Sequence, residues 1–289
     1  MLSFPSNQLK DVYQVSKGFL LEHCIETAAL DARLLIQEAC GLTKEDFILQ
    51  SEKELLSGDI DNLSLKLQER ASGRPVSKIL GRKEFYGCEF FVNEDVLDPR
   101  PETEHLIERV LEITDKDQSF TFVDLGTGSG CIAITIASER PNARGVAIDI
   151  SSKALAVAQE NAHKFGITED RLSFREGSWC EPVTGKYDFI LSNPPYIESD
   201  MIENLSKDVQ NHDPILALDG GELGINPYIE ILDHGFSHLN PHGRMVFEIG
   251  KGQEKRIARL VEERHATLEA LLPDLAGILR IVDISNGDK

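Results

Sequence analysis

The residues best suited to chemistry in this chain lie in Ser192-Asn193-Pro194-Pro195-Tyr196, at the end of the run Tyr187-Asp188-Phe189-Ile190-Leu191. The run is apolar, aromatic and β-branched, which predicts a short buried strand. Two prolines then stop it, because neither can donate to a sheet ladder. A proline following Asn193 also biases that residue to extended backbone. The strand end therefore presents one side-chain amide, carbonyls with no competing prolyl N–H, and an aromatic ring. Such a group accepts hydrogen bonds from a planar –NH2 and packs against its flat face. It holds no nucleophile, no metal ligand and no strong acid, so its chemistry is holding a nitrogen rather than attacking a substrate. Taken alone, the same residues are equally well explained as a plain strand-ending turn.

A second motif lies about 70 residues upstream. Phe120-Thr121-Phe122-Val123-Asp124-Leu125 reads as a buried strand running into Gly126-Thr127-Gly128-Ser129-Gly130, followed by a helix at 131–140. Glycines there let the backbone approach a ligand closely. The next strand, 144–150, carries Asp149, 23 residues after Gly126. An acid at that place can accept both hydroxyls of a ribose. The competing reading is a residue ahead of the helix at 151–165, although Ser151 can fill the cap itself. A dinucleotide fingerprint wants G-x-G-x-x-G. Here the glycines alternate as G-x-G-x-G and Cys131 takes the place of the last one, which weighs against a nicotinamide-dependent dehydrogenase.

The elements that must position these motifs follow from periodicity. Residues 1–84 read as helical. Leu20, Leu21, Cys24, Ile25 and Ala28 share one helical face, a second helix spans 31–40 with Gly41 as its C-cap, a short element covers 46–50, and another helix covers 59–71. Phe85, Tyr86, Phe90, Phe91 and Val92 are strand formers interrupted by Gly87, which predicts a β-hairpin at 85–98 linking two domains. Pro99-Arg100-Pro101-Glu102-Thr103-Glu104 then suits a helix start, with Pro101 in the first turn and acids at its positive end; a sharper reading has Arg100 to Thr103 lining a site. Further strands are expected at 171–176, 244–249 and 279–284, with helices at 227–239 and 253–265. The alternation implies an α/β fold, a mostly parallel sheet with helices on both faces and ligands at the carboxyl ends of its strands. Residues 197–224 have little regular pattern and several acids, as expected of a substrate loop beside a site.

Composition narrows the class. The formal net charge is −19. It is uneven: residues 1–84 carry −2 and residues 85–289 carry −17. Phosphate backbones repel such a surface, so direct nucleic-acid binding is not expected. One basic run, Arg70, Arg74, Lys78, Arg82 and Lys83, reads as a solvated face or as a contact for an acidic partner surface or RNA. Five scattered cysteines without C-x-x-C spacing point to reduced thiols in a cytoplasm and to no metal site. The start, Met1-Leu2-Ser3-Phe4-Pro5, lacks the regions of a secretory leader, and no stretch is apolar enough for a membrane span. The reading is therefore a cytoplasmic protein, taken as a monomer, with no membrane association.

Together, Asp124-Leu125-Gly126-Thr127-Gly128-Ser129-Gly130, an acid ending the next strand, and Asn193-Pro194-Pro195-Tyr196 resemble the class I S-adenosylmethionine-dependent methyltransferases that act on planar nitrogens. With the helical start, Gly73-Arg74-Pro75-Val76-Ser77-Lys78-Ile79-Leu80-Gly81, the hairpin and Pro99 to Glu104 in the same order, nearly the whole chain is similar to the peptide chain release factor glutamine N5-methyltransferase family. The resemblance implies a Rossmann-like methyltransferase domain at 99–289 with a seven-stranded, mostly parallel sheet. It also implies a helical substrate-recognition domain at 1–84 and the hairpin linker at 85–98. S-adenosylmethionine would be the cofactor, with S-adenosylhomocysteine as product and no metal. Gly126, Thr127, Gly128, Ser129 and Gly130 would cradle its methionine part, Asp149 its ribose and Trp179 its adenine, with Asn193 also beside it. Ser178 stands where the family often has an acid. Asn193 and the Pro194 carbonyl would bind the substrate amide, with Pro195 and Tyr196 against it; Asn193, Pro194 and Tyr196 would be the catalytic set. The protein substrate would be a release factor, modified on the glutamine of its Gly-Gly-Gln motif in the service of translation termination. Alternative targets are a ribosomal-protein glutamine or the N6 of adenine, and an S-adenosylmethionine-binding module without catalysis is the non-enzyme alternative.

Overall fold

The computed structural model describes residues 2–287. They form two compact units, one up to Gly81 together with Ser206–His212, the other spanning 82–205 and 213–287. The first is helical: α1 (Leu9–Glu22), α2 (Ala28–Cys40), α3 (Lys44–Leu49), α4 (Ser57–Ala71) and α5 (Val76–Leu80). Its core is aliphatic, built on Leu9, Val12, Leu20, Leu35, Ile36, Leu63 and Leu67. Gly41 ends α2 in the left-handed conformation, φ 60°, as its sequence position predicts. The helical face expected to run from Leu20 to Ala28 is broken instead: Cys24 takes φ 59°, α1 ends at Glu22 and α2 restarts at Ala28. The basic run is not one solvated face either. Arg70 and Lys78 are buried, and Arg70 Nε donates to Asp31 Oδ2 at 2.7 Å while its Nη1 reaches Asp208 Oδ2 at 3.0 Å.

The second unit begins with the hairpin β1 (Arg82–Phe85) and β2 (Cys88–Phe91). It lies ahead of the expected 85–98, because Arg82-Lys83-Glu84 pair with Glu89-Phe90-Phe91 despite their charge. It is also part of this unit's core, through Phe85 and Phe90. There follow α6 (Glu104–Glu112), β3 (Thr121–Leu125), α7 (Cys131–Glu139), β4 (Arg144–Asp149), α8 (Ser152–Lys164), β5 (Leu172–Glu176) and β6 (Tyr187–Ser192). After α9 (Lys207–His212), in the segment that belongs to the first unit, come α10 (Asn226–Gly235), β7 (Leu239–Glu248), α11 (Glu254–Glu263), β8 (Thr267–Pro273) and β9 (Leu279–Ser285).

The sheet has seven strands in the order β5-β4-β3-β6-β7-β9-β8. The first five run parallel and β9 is antiparallel to both its neighbours. The apolar strands are buried on both faces, as a helix-covered parallel sheet requires: one cluster gathers Phe122, Leu191 and Val246 with α6 and α7, the other Val123, Ile190 and Phe247 with α10 and α11.

The chain proceeds outward from β3 to β5, then returns to place β6 on the other side of β3. That reversal is the topological switch point, where open α/β sheets bind ligands. The register sets what meets there. Leu125 pairs with Ile148 and with Ser192, and Ser192 pairs with Phe247. The next residues along the strands, Asp149, Gly126, Asn193 and Glu248, therefore emerge side by side.

Candidate functional site

A cavity of about 420 Å³ opens over these strand ends, lined among others by Gly126, Gly128, Asp149, Ser178, Trp179, Asn193 and Pro195. The two motifs read from sequence thus face one space. Asp95, Val96 and Leu97 form another part of the wall, and Pro214, Leu216, Ala217, Asp219 and Asn226 a third.

On the glycine side, backbone geometry does the positioning. Gly126 and Gly128 take φ 71° and 55°, conformations that glycine adopts without a Cβ penalty. Gly126 N and Thr127 N both donate to Ile148 O at 2.9 Å, which clips the turn to β4. Asp149 is bound by backbone alone: Gly128 N donates to its Oδ2 at 2.8 Å and Ser151 N to its Oδ1 at 2.9 Å. Burial nonetheless raises its pKa, the backbone donors offsetting only part of that cost. Ser151 caps α8 through Ala154 N, so Asp149 is free of that task. Trp179, at φ 42°, brings its ring beside Gly126, where an added Cβ would lie 3.4 Å from Cζ3.

Thr127, Ser129 and Gly130, grouped with the cradle on sequence, do not line this cavity, and neither do Pro194 and Tyr196 of the strand end. The buried Thr127 hydroxyl donates to Asp124 Oδ2 at 2.6 Å. The Ser129 carbonyl accepts from Asn161 Nδ2 at 2.9 Å. Gly130 is glycine for packing: a Cβ there would meet Ile134 Cδ1 at 2.8 Å and Ala158 Cβ at 3.1 Å. Asn161, buried on α8, also exchanges two hydrogen bonds with the Phe91 backbone, tying the hairpin to this turn.

The Asn193 side is held by side chains from distant parts of the sequence. Ser192 Oγ donates to Leu125 O at 2.7 Å, locking the two strand ends together. Asn193 Nδ2 donates to Thr103 Oγ1 at 3.0 Å, and Thr103 Oγ1 donates to Glu248 Oε2 at 2.5 Å. The Tyr196 hydroxyl approaches Glu248 Oε1 at 3.4 Å, and the Tyr228 hydroxyl donates to the Glu248 carbonyl at 2.8 Å. Burial pushes the Glu248 carboxyl up to about 7, with Thr103 and Arg280 acting in the opposite direction. The same burial raises the Tyr196 phenol above its ordinary value. Pro194 is buried, and Tyr196 packs beside Gly250, where a Cβ would come within 2.9 Å of the ring. Gln253 fixes the chain beyond the motif: its Nε2 donates to the carbonyls of Tyr196 and Gly224, and its Oε1 accepts from Gly250 N. Beside the site, Arg100 Nη2 donates to Asp213 Oδ2 at 2.9 Å.

Thr103 lies in the segment 100–103 that the sequence reading offered as a site lining, whereas Asn161, Glu248 and Gln253 are site residues it did not assign. Glu248 carried a signal, since an acid ending the apolar run Met245-Val246-Phe247 in a parallel sheet lies where ligands bind. The others have none without the tertiary pairing.

Comparison with known proteins agrees with this geometry. The model of the methyltransferase small domain matches residues 102–225, and that of the PrmC N-terminal domain matches residues 11–81. The chain is 37% identical over 275 residues to the release factor glutamine methyltransferase of Caulobacter vibrioides, covering 95% of each chain. It is 42% identical over 258 residues to that of Cereibacter sphaeroides, covering 89% of this chain and 91% of the relative. The chain belongs to the release factor glutamine methyltransferase family. A methyltransferase from Pyrococcus furiosus shares its fold, with a TM-score of 0.54 at 16% identity, covering 79% of this chain and 100% of that one. Within this methyltransferase, among the described residues, no helix is long and apolar enough to cross a membrane. No group of three or more His, Cys, Asp or Glu side chains is placed to hold a metal there either.

Proposed function

We propose that this methyltransferase transfers the methyl group of S-adenosylmethionine to the side-chain amide nitrogen, N5, of the glutamine in the Gly-Gly-Gln motif of peptide chain release factors. One observation carries the reading: Gly126 and Gly128 of the glycine turn, the backbone-held Asp149 carboxylate, and Asn193 and Pro195 of the rigid strand end line the same cavity. The relatives named for this activity support the choice of substrate. The donor set suits the cofactor: a close-approach backbone at Gly126 and Gly128, a carboxylate for ribose hydroxyls at Asp149, and an indole for adenine at Trp179.

When bound, S-adenosylmethionine supplies an electrophilic methyl on a sulfonium. The remaining work belongs to the protein. A glutamine amide nitrogen is a poor nucleophile because its lone pair is delocalised into the carbonyl. Asn193 Oδ1 and the Pro194 carbonyl accept from its two N–H groups, and Tyr196 packs against the amide plane. Alignment of this kind can lower a barrier by roughly 7–11 kcal/mol. The same acceptors are aimed where positive charge develops on nitrogen. No base is needed beforehand, because the nitrogen becomes acidic once methylated. Prolines at both positions after Asn193 keep those acceptors rigid and leave no N–H to compete for them.

The test is methyl transfer in vitro to a purified release factor and to the same factor with the Gly-Gly-Gln glutamine replaced. Modification of the first alone supports the proposal. Equal modification of both, or of ribosomal protein in preference, contradicts it.

A further inference from the structure

An Asn side chain can serve as an acceptor toward substrate only if its amide is turned the right way, and nothing in Asn193 itself decides that. The structure places two buried groups behind it. Thr103, 2% exposed, ends the turn Pro101–Thr103, and Glu248, 1% exposed, ends β7. The chain of bonds runs from Asn193 Nδ2 to Thr103 Oγ1 and from Thr103 Oγ1 to Glu248 Oε2. Building on the proposed reaction, we propose that Glu248 and Thr103 are positioning residues that set which end of the Asn193 amide faces the cavity.

The direction of the chain follows from donor chemistry. An ionised carboxylate only accepts. Thr103 must therefore spend its single hydrogen on Glu248, leaving its lone pairs to face Asn193. Only the NH2 end of the amide can satisfy them, so Oδ1 is turned to the cavity, where it accepts from a substrate –NH2. With Glu248 protonated the chain reverses. The carboxyl donates to Thr103, Thr103 donates to Oδ1, and the NH2 of Asn193 is presented to the substrate NH2, donor against donor. The titratable and charged groups facing Glu248 are Tyr196, Tyr228, Glu102, Cys131 and Arg280. Among them Arg280 favours the ionised form and Glu102 opposes it. Burial leaves the carboxyl titrating near neutrality, with a pKa of about 7, so both directions of the chain lie within an accessible pH range.

The experiment is single-turnover methyl transfer to a release factor from pH 6 to 9, for the full-length wild type and for Thr103→Val, Thr103→Ser and Glu248→Gln, with cofactor affinity measured by calorimetry. The wild-type rate should rise with pH to a plateau. Thr103→Val should lose about tenfold or more of the plateau rate, keep its cofactor affinity within about twofold, and lose the pH dependence. Thr103→Ser, which restores the hydroxyl, should recover most of the rate. Glu248→Gln can still accept through its carbonyl but cannot titrate, so its profile should be flat. A Thr103→Val rate within about twofold of wild type, equal losses in the Val and Ser variants, or an unchanged pH profile in Glu248→Gln would each overturn the inference. Should Thr103→Val fail to fold, the Glu248→Gln profile decides alone. If the wild type transfers nothing to the release factor, the functional reading fails and takes the inference with it; if it does and the variants behave as wild type, only the inference fails.

Discussion

Two buried carboxylates sit beneath the two halves of this site. Asp124 lies under the glycine turn and Glu248 under Asn193. Burial pushes both up to about 7. Each accepts a hydrogen bond from a threonine hydroxyl, at 2.6 Å from Thr127 and 2.5 Å from Thr103. They differ in reach. Thr127 is three residues from Asp124, so that bond closes one local turn; Thr103 is 145 residues from Glu248 and carries the link onward to Asn193. The first carboxylate makes a turn rigid. The second couples three segments of chain and ends on Asn193, the proposed acceptor for the substrate amide. At the cofactor end the titratable group closes only its own turn, whereas an acceptor end fixed by a side-chain relay inherits the relay's titration.

The sharpest contrast between the ends is in what their removal costs. Asn193→Ala should reduce single-turnover methyl transfer by about a hundredfold or more, as expected when the group that aligns the nucleophile is lost, with cofactor affinity unchanged by calorimetry. Asp149→Ala should do the opposite, lowering cofactor affinity by about tenfold or more through the loss of charge-assisted hydrogen bonds to ribose. Rate measured at saturating cofactor should then return most of the way to wild type. If both substitutions affect rate and affinity alike, the two ends are not separable and the comparison fails.

Stability should expose the shared part. Both carboxylates hold their protons in the folded state up to about pH 7, whereas an unfolded chain releases them near its ordinary values of 3.8 and 4.5. Between those limits the native state binds more protons, so these groups make stability fall as pH rises and their cost is complete above about pH 7. For Glu248 that cost is on the order of 3 kcal/mol. Denaturant unfolding at pH 5 and pH 8 should show Glu248→Gln losing less stability across the interval than wild type. An identical pH slope in the two proteins would contradict the burial argument.

Packing separates Gly128 from Gly130 in the turn. Both sit at positive φ, 55° and 81°, but only Gly130→Ala also puts a methyl into Ile134 and Ala158, while Gly128→Ala meets nothing within 4 Å. Thermal unfolding should show the larger loss for Gly130→Ala, by about 1–3 kcal/mol of overpacking. Smallest of all should be Tyr196→Phe. Its hydroxyl contact with Glu248 is long, 3.4 Å, and the proposed mechanism uses the ring rather than the hydroxyl. The variant should keep single-turnover activity within about fivefold; a loss as large as that of Asn193→Ala would make the phenol chemically essential.

How much of this was readable in the sequence follows the same divide. The glycine turn, Asp149 and the Asn193 strand end are contiguous motifs, and local chemistry names them. Their meeting in one cavity follows from strand alternation. The seventh strand of the sheet, Thr267–Pro273, has no strand signal of its own: Leu268-Glu269-Ala270-Leu271-Leu272 are good helix formers, and pairing with β9 overrides that propensity. The hairpin was placed too late because three charged residues open it. Thr103 could be placed near a site, but its bond to Glu248 joins residues 145 apart in sequence, which no local pattern encodes. A glycine-rich turn must also pack: the Thr127 hydroxyl is spent on Asp124, the Ser129 carbonyl accepts from Asn161, and Gly130 sits against Ile134 and Ala158.

The central claim is best tested by labelled-methyl transfer from S-adenosylmethionine to a purified release factor, with the modified peptide mapped by mass spectrometry. The account predicts label on the amide nitrogen of the Gly-Gly-Gln glutamine and none on a factor lacking that glutamine. Label on ribosomal protein or nucleic acid instead, with the release factor unmodified, would keep the nitrogen-holding chemistry of Asn193 and contradict the substrate.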